Sequence, residues 1–340
     1  MSNFSPSNLV AAQALLADKF NQAEMRQKAL PAVRLALQNS DVLIPTAQVL
    51  RTREDRAVSA YILKRSVRAT TSSRTYNHSG SRGDSIAVAL SWTSFADKFS
   101  ISLKQMDNNM FGFNQTLAQQ IENAILNIQT DIETAEIAYL MAQRSQVNAG
   151  TVNGTWNSTT YAYEIDASYK QRFVQIAKAM MVQNKYRGMY DMITDPLTHV
   201  DAEFFANQGS SNGTNTGFQF SGVNIAESTD LSDSDYAGGC AFIMPAGSFG
   251  MLPWIPKQNR EGYGDFNSYT GGFGSIADPT GLPLTYALHG YAARADASGS
   301  NGDTQDVVLE FELSVDIANI LSPISGSSSE SVVFELGQLL

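Results

Sequence analysis

The sequence predicts an α+β fold whose first half is dominated by a long hairpin and one long helix. Three observations carry that prediction. A polar stretch, residues 70–85 (TTSSRTYNHSGSRGDS), separates two segments with strand-like apolar phasing and reads as a hairpin tip. Residues 113–146 carry an apolar stripe at helical spacing: Leu117, Ile121, Ile125, Ile128, Ile132, Ala135 and Tyr139. The chain ends in strand candidates at 283–294, 306–317 and 331–336.

Taken in order, residues 8–29 repeat apolar positions at helical spacing (Leu9, Val10, Ala14, Leu15, Phe20, Met25), and Pro31 is expected to end that helix. Residues 41–50, punctuated by Pro45, read as short and extended. Residues 57–69 read as a strand with Tyr61, Leu63, Val67 and Ala69 in one phase, and Ile86, Val88, Leu90 and Trp92 alternate on the return. The phase then slips to Phe99, Ile101 and Leu103, which a bulge or bend near 93–98 would explain. Asn114 is the expected cap of the long helix. Its stripe is heptad-like, but a lone helix followed by mixed strands more often lies across a sheet than in a coiled coil.

Asn153-Gly154 predicts a hairpin turn, returning through Tyr161 and Tyr163. A second amphipathic helix is expected over 167–187 (Phe173, Ile176, Ala177, Met180, Met181), then a strand over 189–194 closed by Asp195-Pro196 and a short helix over 198–207. Residues 208–217 form a Gly/Ser/Asn-rich loop, and 218–226 and 240–244 are strand candidates. Residues 245–262 read as irregular and 263–282 as a glycine-rich loop.

The 340 residues are 43% apolar, enough for a core, and only 16% charged. Surfaces low in charge tend to be covered by partners or by copies of themselves. The competing reading is a secreted β-rich adhesin or carbohydrate-binding protein. Against it, Met1–Gln22 lacks a basic stretch followed by an apolar run, so a signal peptide is not expected and the default location is the cytoplasm. No apolar run approaches the roughly 18 residues of a membrane span. Charge is uneven: residues 1–110 hold 14 Lys and Arg against 8 Asp and Glu, and residues 111–340 hold 9 against 25. A basic arm and an acidic body would attract each other between copies. The acidic body argues against tight sequence-specific DNA binding, while one weakly basic face can still lie near packaged DNA.

No catalytic set converges. The single Cys240 excludes an internal disulfide and a Cys-based metal cluster. The three histidines, His78, His199 and His289, match no metal spacing, and His199-x-Asp201 is weak alone. There is no G-x-S-x-G elbow, Walker A loop or H-E-x-x-H helix. Gly271-Gly272-Phe273-Gly274 lies between turn signals and reads as a loop. Arg82-Gly83-Asp84 reads as a turn flanked by charges. The sequons at Asn77, Asn114, Asn153, Asn157 and Asn212 reflect an Asn/Ser/Thr-rich chain. Glu310 and Glu312 alternate on one strand face, as solvent-facing residues do. Neither an enzyme nor a cofactor is expected.

This order of parts resembles the major capsid proteins of tailed phages with the Hong Kong 97 fold. SWTSFADKFSISLKQMDNN (91–109) resembles the exit of that family's extended loop into its spine helix. CAFIMPAGSFGMLPWIPKQNREG (240–262) is similar to a capsid segment where a strand meets a proline-rich turn. The resemblance implies an N-terminal arm (1–50), an extended β-hairpin loop (51–106), a peripheral domain (107–166 and 301–340) with its spine helix at 113–146, and an inserted axial domain (167–300).

It also implies a self-assembling subunit of an icosahedral phage head enclosing double-stranded DNA, with an encapsulin-like compartment as the alternative. The implied partners are identical subunits in hexamers and pentamers, a portal, scaffold or decoration proteins, and non-specific packaged DNA on the inner face; no membrane is implied. The implied location is the virion, assembled in the host cytoplasm. The interface residues would be Arg51, Arg53, Arg56, Arg65, Arg68, Arg74, Arg82 and Trp92. Some members crosslink through a loop lysine, but no Lys lies between Arg65 and Asp97, so contacts here would be non-covalent. With Met1 as the first residue, no cleaved scaffolding segment is expected.

Overall fold

A computed structural model describes residues 6–21, 28–63, 74, 85–102, 112–150, 152–208, 222–296, 305–324 and 329–339. The expected hairpin tip, apart from Arg74 and Ser85, lies outside the described residues, as do Arg65, Arg68, Arg82 and most of the 208–217 loop.

The N-terminal segment is mostly helical over its described length: α1 (Pro6–Asn21), α2 (Pro31–Leu43) and α3 (Ala47–Arg51). Two expectations are corrected here. Pro31 begins a helix, because a proline at the first position loses only an amide that has no intrahelical partner. Residues 41–50 are extended only around Ile44, which precedes Pro45 and is driven out of the helical region.

β1 (Ser59–Leu63) and β2 (Ser85–Ala89) form an antiparallel ribbon, with Ile62 opposite Ile86. The chain then breaks at Leu90–Ser91 and enters β3 (Trp92–Ser102) in a different sheet. β3 keeps an unbroken register with β13, so no bulge lies at 93–98; the phase changes because Trp92 packs on the cluster at the ribbon's root, whereas Phe95, Phe99 and Ile101 pack on the main core.

The long helix α4 runs Phe113–Ala142, 30 residues and roughly 45 Å. Its cap is Gly112, whose N–H donates to Gln115 Oε1 at 3.1 Å; Asn114 lies inside the first turn. α4 packs against β3, β13 (Gln305–Leu321), α1 and α2.

One sheet runs β10 (Tyr263–Gly264), β11 (Gly272–Ala277), β12 (Thr285–Asp296), β13, β3, with β9 (Phe249–Trp254) also on β13. The other is mixed: β4 (Thr155–Asn157), β5 (Ala162–Ile165), β14 (Phe334–Gln338), β8 (Cys240–Pro245), β6 (Tyr190–Thr194), β7 (Val223–Glu227). A 3₁₀ turn (Ala167–Arg172) leads to α5 (Phe173–Gln183), which covers the mixed sheet with Phe173, Ile176, Ala177, Met180 and Met181, as its periodicity predicts. α6 (Pro196–Gln208) follows β6, and α7 (Lys257–Glu261) follows β9.

Other corrections follow from burial. Residues 245–262 contain β9, buried at every position, where Pro253 is tolerated because β9 pairs on one edge only. The 263–282 stretch holds β10 and β11. The β4–β5 turn lies at 158–161, beyond Asn153-Gly154. β11 and β12 pair with β13 and β3, whereas β14 sits between β5 and β8.

Candidate assembly interface and the polar seam behind it

The candidate site is the root of the β1–β2 ribbon. Residues 52–58 turn from α3 into β1, and this turn is held from three sides. Arg56 pairs with Asp316 on β13 at 2.9 Å, donates to Ser94 at 3.3 Å and lies 5.8 Å from the centre of the Trp254 ring. Trp92 Nε1 donates to the Ala57 carbonyl at 2.8 Å, and its ring meets Trp254 edge-on at 6.5 Å. Trp254 Nε1 and Arg260 Nη2 both donate to the Arg53 carbonyl, at 3.1 and 2.7 Å, while Arg260 Nη1 reaches the Arg51 carbonyl. Arg51 itself pairs with Asp41 at 3.2 Å and donates to buried Ser40. Beneath lies an apolar cluster of Leu43, Ile44, Ala47, Leu50, Ala57, Ala60, Ile62, Leu90, Leu252, Ala318 and Ile320. The root of the ribbon is therefore a fixed joint.

Of the residues expected at an interface, Arg51, Arg53, Arg56 and Trp92 thus gather at this joint, three of them through side-chain contacts within the chain and Arg53 through its carbonyl. Arg74 is exposed. Val42, Val49, Val58 and Tyr61 are each more than 60% exposed along the same stretch, an unusual concentration of apolar surface.

Behind the joint, a polar seam runs down the buried face of α4. Gln129 donates to Asp278, Thr280 and Tyr286 in the β11–β12 turn and strand, at 2.5, 3.3 and 3.2 Å. Glu133 accepts from the backbone N–H groups of Ala32 (3.3 Å) and Val33 (3.1 Å) and from Ser228 (3.1 Å). It thereby caps α2 from another helix, beside a proline that cannot donate. Burial raises the Glu133 carboxyl above its ordinary range, against the pull of these donors. Glu136, one turn on, is fully buried; neither oxygen makes a well-formed hydrogen bond, and the Asn319 side chain bonds it only weakly. Burial lifts it to about 8, the Asn319 contact opposes that, and the Glu133 charge adds to it.

A second buried carboxyl, Glu335 on β14, contacts Arg144, which also stands 3.8 Å from Asp233. Burial lifts Glu335 to about 8; Arg144 opposes this, but Asp233 shares that guanidinium and repels a second charge. Contact geometry alone suggests a salt bridge. A neutral Glu335 beside an Arg144–Asp233 pair fits better, because a buried carboxylate that shares its cation is costly.

Sequence reasoning overlooked Gln129, Glu133, Glu136 and Glu335. Gln129 and Glu136 are one heptad apart and adjoin the apolar stripe, a detectable spacing; nothing local marks Glu335. Among the described residues no group of three or more His, Cys, Asp or Glu is placed to hold a metal, and no helix is long and apolar enough to cross a membrane.

No protein-family model matches the chain, and no curated protein matches it in sequence. Its fold is nevertheless similar to solved phage structures. Over 92% of this chain and 93% of the other it matches a chain of Mycobacterium phage Che8, at a TM-score of 0.52 and 10% identity. Over 93% and 94% it matches a chain of the Cyanophage Pam1 capsid asymmetric unit, at a TM-score of 0.51 and 10% identity. At that identity the likeness is one of fold, and it spans nearly the whole of each chain.

Proposed function

We propose that this chain is a major capsid protein: the self-assembling structural subunit of an icosahedral phage head that encloses double-stranded DNA. The observation that carries the reading is the near full-length likeness of fold to the Pam1 capsid chain. The anchored ribbon supports it, since a two-stranded ribbon alone is marginal in water and gains stability by lying on another surface. In this reading residues 1–50 act as an arm, 51–106 as the extended loop and α4 as the spine helix. The division into a peripheral domain (107–166, 301–340) and an axial domain (167–300) is retained as a proposal about assembly units, with β14 bridging them.

The loop would lie on the adjacent subunit, with Arg65, Arg68, Arg74 and Arg82 meeting polar and acidic positions there. Arg51, Arg53, Arg56 and Trp92 would present and orient it. Many weak contacts suffice when copies are numerous. Hexamers and pentamers of the chain, a portal, and scaffold or decoration proteins are the partners this role entails; packaged DNA would contact the inner face non-specifically. The role is structural rather than catalytic, in a virion built in the host cytoplasm.

Negative-stain microscopy of the expressed chain tests this. Uniform shells, capsomers or tubes are expected. A monodisperse monomer with residues 51–106 resistant to protease would sink the reading. Nucleic acid inside purified shells is expected; an enclosed enzyme would instead indicate an encapsulin-like compartment.

A further inference from the structure

We propose that the outer face of the β10–β11–β12–β13–β3 sheet, away from α4, is the surface that receives the arginine-bearing ribbon of a second copy. The strand register sets one row of side chains across that face: Tyr263, Phe273, His289, Glu312 and Lys98 are successive cross-strand partners. Tyr291 and Glu310 oppose each other two residues along, on the same face. The contacts agree. The Phe273 and His289 rings stand 4.6 Å apart and the His289 and Tyr291 rings 5.8 Å apart, while Lys98 pairs with Glu312 at 3.3 Å. Gly271, at φ +82, leaves the room the imidazole needs, since a Cβ there would stand 2.7 Å from His289 Nε2. The intervening residues point the other way: Asn127 of α4 donates to Asp97 at 2.9 Å, and Ile101, Leu309, Phe311 and Leu313 share the core with α4.

The row joins an aromatic plate to carboxylates. Tyr263 and Tyr291 are exposed, and Phe273, His289, Glu310 and Glu312 are half-buried. Such a surface suits a guanidinium, which stacks on a ring, is drawn to its electron-rich face and offers paired N–H donors to a carboxylate. Glu261 and Asp265, both exposed, flank Tyr263 along the chain and add to the acidic side of the balance. The ribbon carries the complement: residues 64–84 hold Lys64, Arg65, Arg68, Arg74 and Arg82 against Asp84, and Arg74 is exposed. A chain's own ribbon is led away from its own row. Its root is tied to Asp316, and Ile62 and Val88 pack with Ala318 and Ile320, so it leaves along β13 in the direction opposite to Glu312 and Glu310. The row is left for the ribbon of another copy. The inference deepens the capsid reading and rests on it for that second copy.

A labelled synthetic peptide of residues 64–84, titrated with the full chain and followed by fluorescence anisotropy, tests it. Binding is expected, and it should weaken as salt rises from about 0.05 to about 0.5 M. Glu310→Lys combined with Glu312→Lys should weaken it roughly ten-fold or more, and Tyr291→Ala should weaken it in the same direction. Thermal unfolding checks that each variant is folded; should the double lysine variant not fold, Glu310→Gln with Glu312→Gln takes its place with the same expectation. No binding by the wild type, or equal binding by the folded variants, overturns the proposal. Shell formation in negative stain reports separately on the capsid reading. A chain that binds the peptide through this face and forms no shells contradicts the capsid reading alone. A chain that forms shells while its face variants bind the peptide as well as the wild type contradicts this proposal alone.

Discussion

Glu133 and Val33 stand 100 residues apart in sequence, yet the Val33 N–H donates to Glu133 Oε2 at 3.1 Å in a buried site. The long helix thus supplies the cap that α2 lacks in its own sequence, since Leu30 at the cap position offers no side-chain acceptor. The contact joins α2 to the long central helix α4.

Loss of that cap should be costly. Glu133→Ala is expected to destabilise the chain by about 1–3 kcal/mol, because two buried backbone donors and Ser228 are left unpaired. Urea unfolding measures the loss, and hydrogen exchange should localise it to α2 at neutral and alkaline pH alike. A loss spread evenly over the mixed sheet would contradict the capping role.

The buried carboxyls set a pH dependence of definite sign. Glu136 and Glu335 are both lifted from 4.5 to about 8 in the folded chain. A folded-state value above the unfolded one favours folding in full below about 4.5 and withdraws that contribution as pH rises through about 8. Stability should therefore fall progressively between about pH 4.5 and about pH 8 and level off above that. Glu335→Gln should come closest to the wild type near about pH 4.5 and flatten part of the fall between about pH 4.5 and 8, as read by urea midpoints from about pH 4.5 to 9. A loss above about 3 kcal/mol at pH 6 would mean that Glu335 is ionised and truly paired with Arg144.

At the ribbon's root, Arg56→Ala removes the cation beside Asp316, whose side chain is 9% exposed while that of Arg56 is 45% exposed. Destabilisation of about 1–2 kcal/mol is expected, with faster proteolysis at residues 52–58. Trp92→Ala should cost more, about 2–4 kcal/mol, through lost packing on Trp254 and the lost bond to Ala57. Both effects should appear in the unassembled chain. Stability identical to wild type with assembly alone impaired would assign these residues to contacts between copies.

Gly239 enters β8 with φ +116, and a Cβ there would stand 2.3 Å from Thr198 Oγ1. Gly239→Ala should cost about 2–4 kcal/mol, from backbone strain and the clash at the start of α6 together. Thermal unfolding would show it; a change within about 0.5 kcal/mol would mean that the loop relaxes freely.

The elements that periodicity describes well were legible in the sequence. The stripe from Leu117 to Ile132 marked α4, and Phe173 to Met181 marked α5. Alternation from Ile86 to Trp92 marked the return of the ribbon. Fully buried strands were harder. β9 has no polar side to alternate with, and its proline and glycine read as breaks although α2 and β13 enclose it.

By itself, then, the sequence determined the mixed α and β class and the order of the ribbon and the long helix. The tertiary structure alone decided which polar residues of those elements lie inside. Periodicity tells which way a side chain points from its own helix or strand, and nothing about what stands opposite. Glu133 became a cap because α2 ends in front of it. Glu136 became a buried acid because Asn319 on β13 stands opposite it. Arg56 became part of a joint because Asp316 and Trp254 arrive from more than 190 residues away.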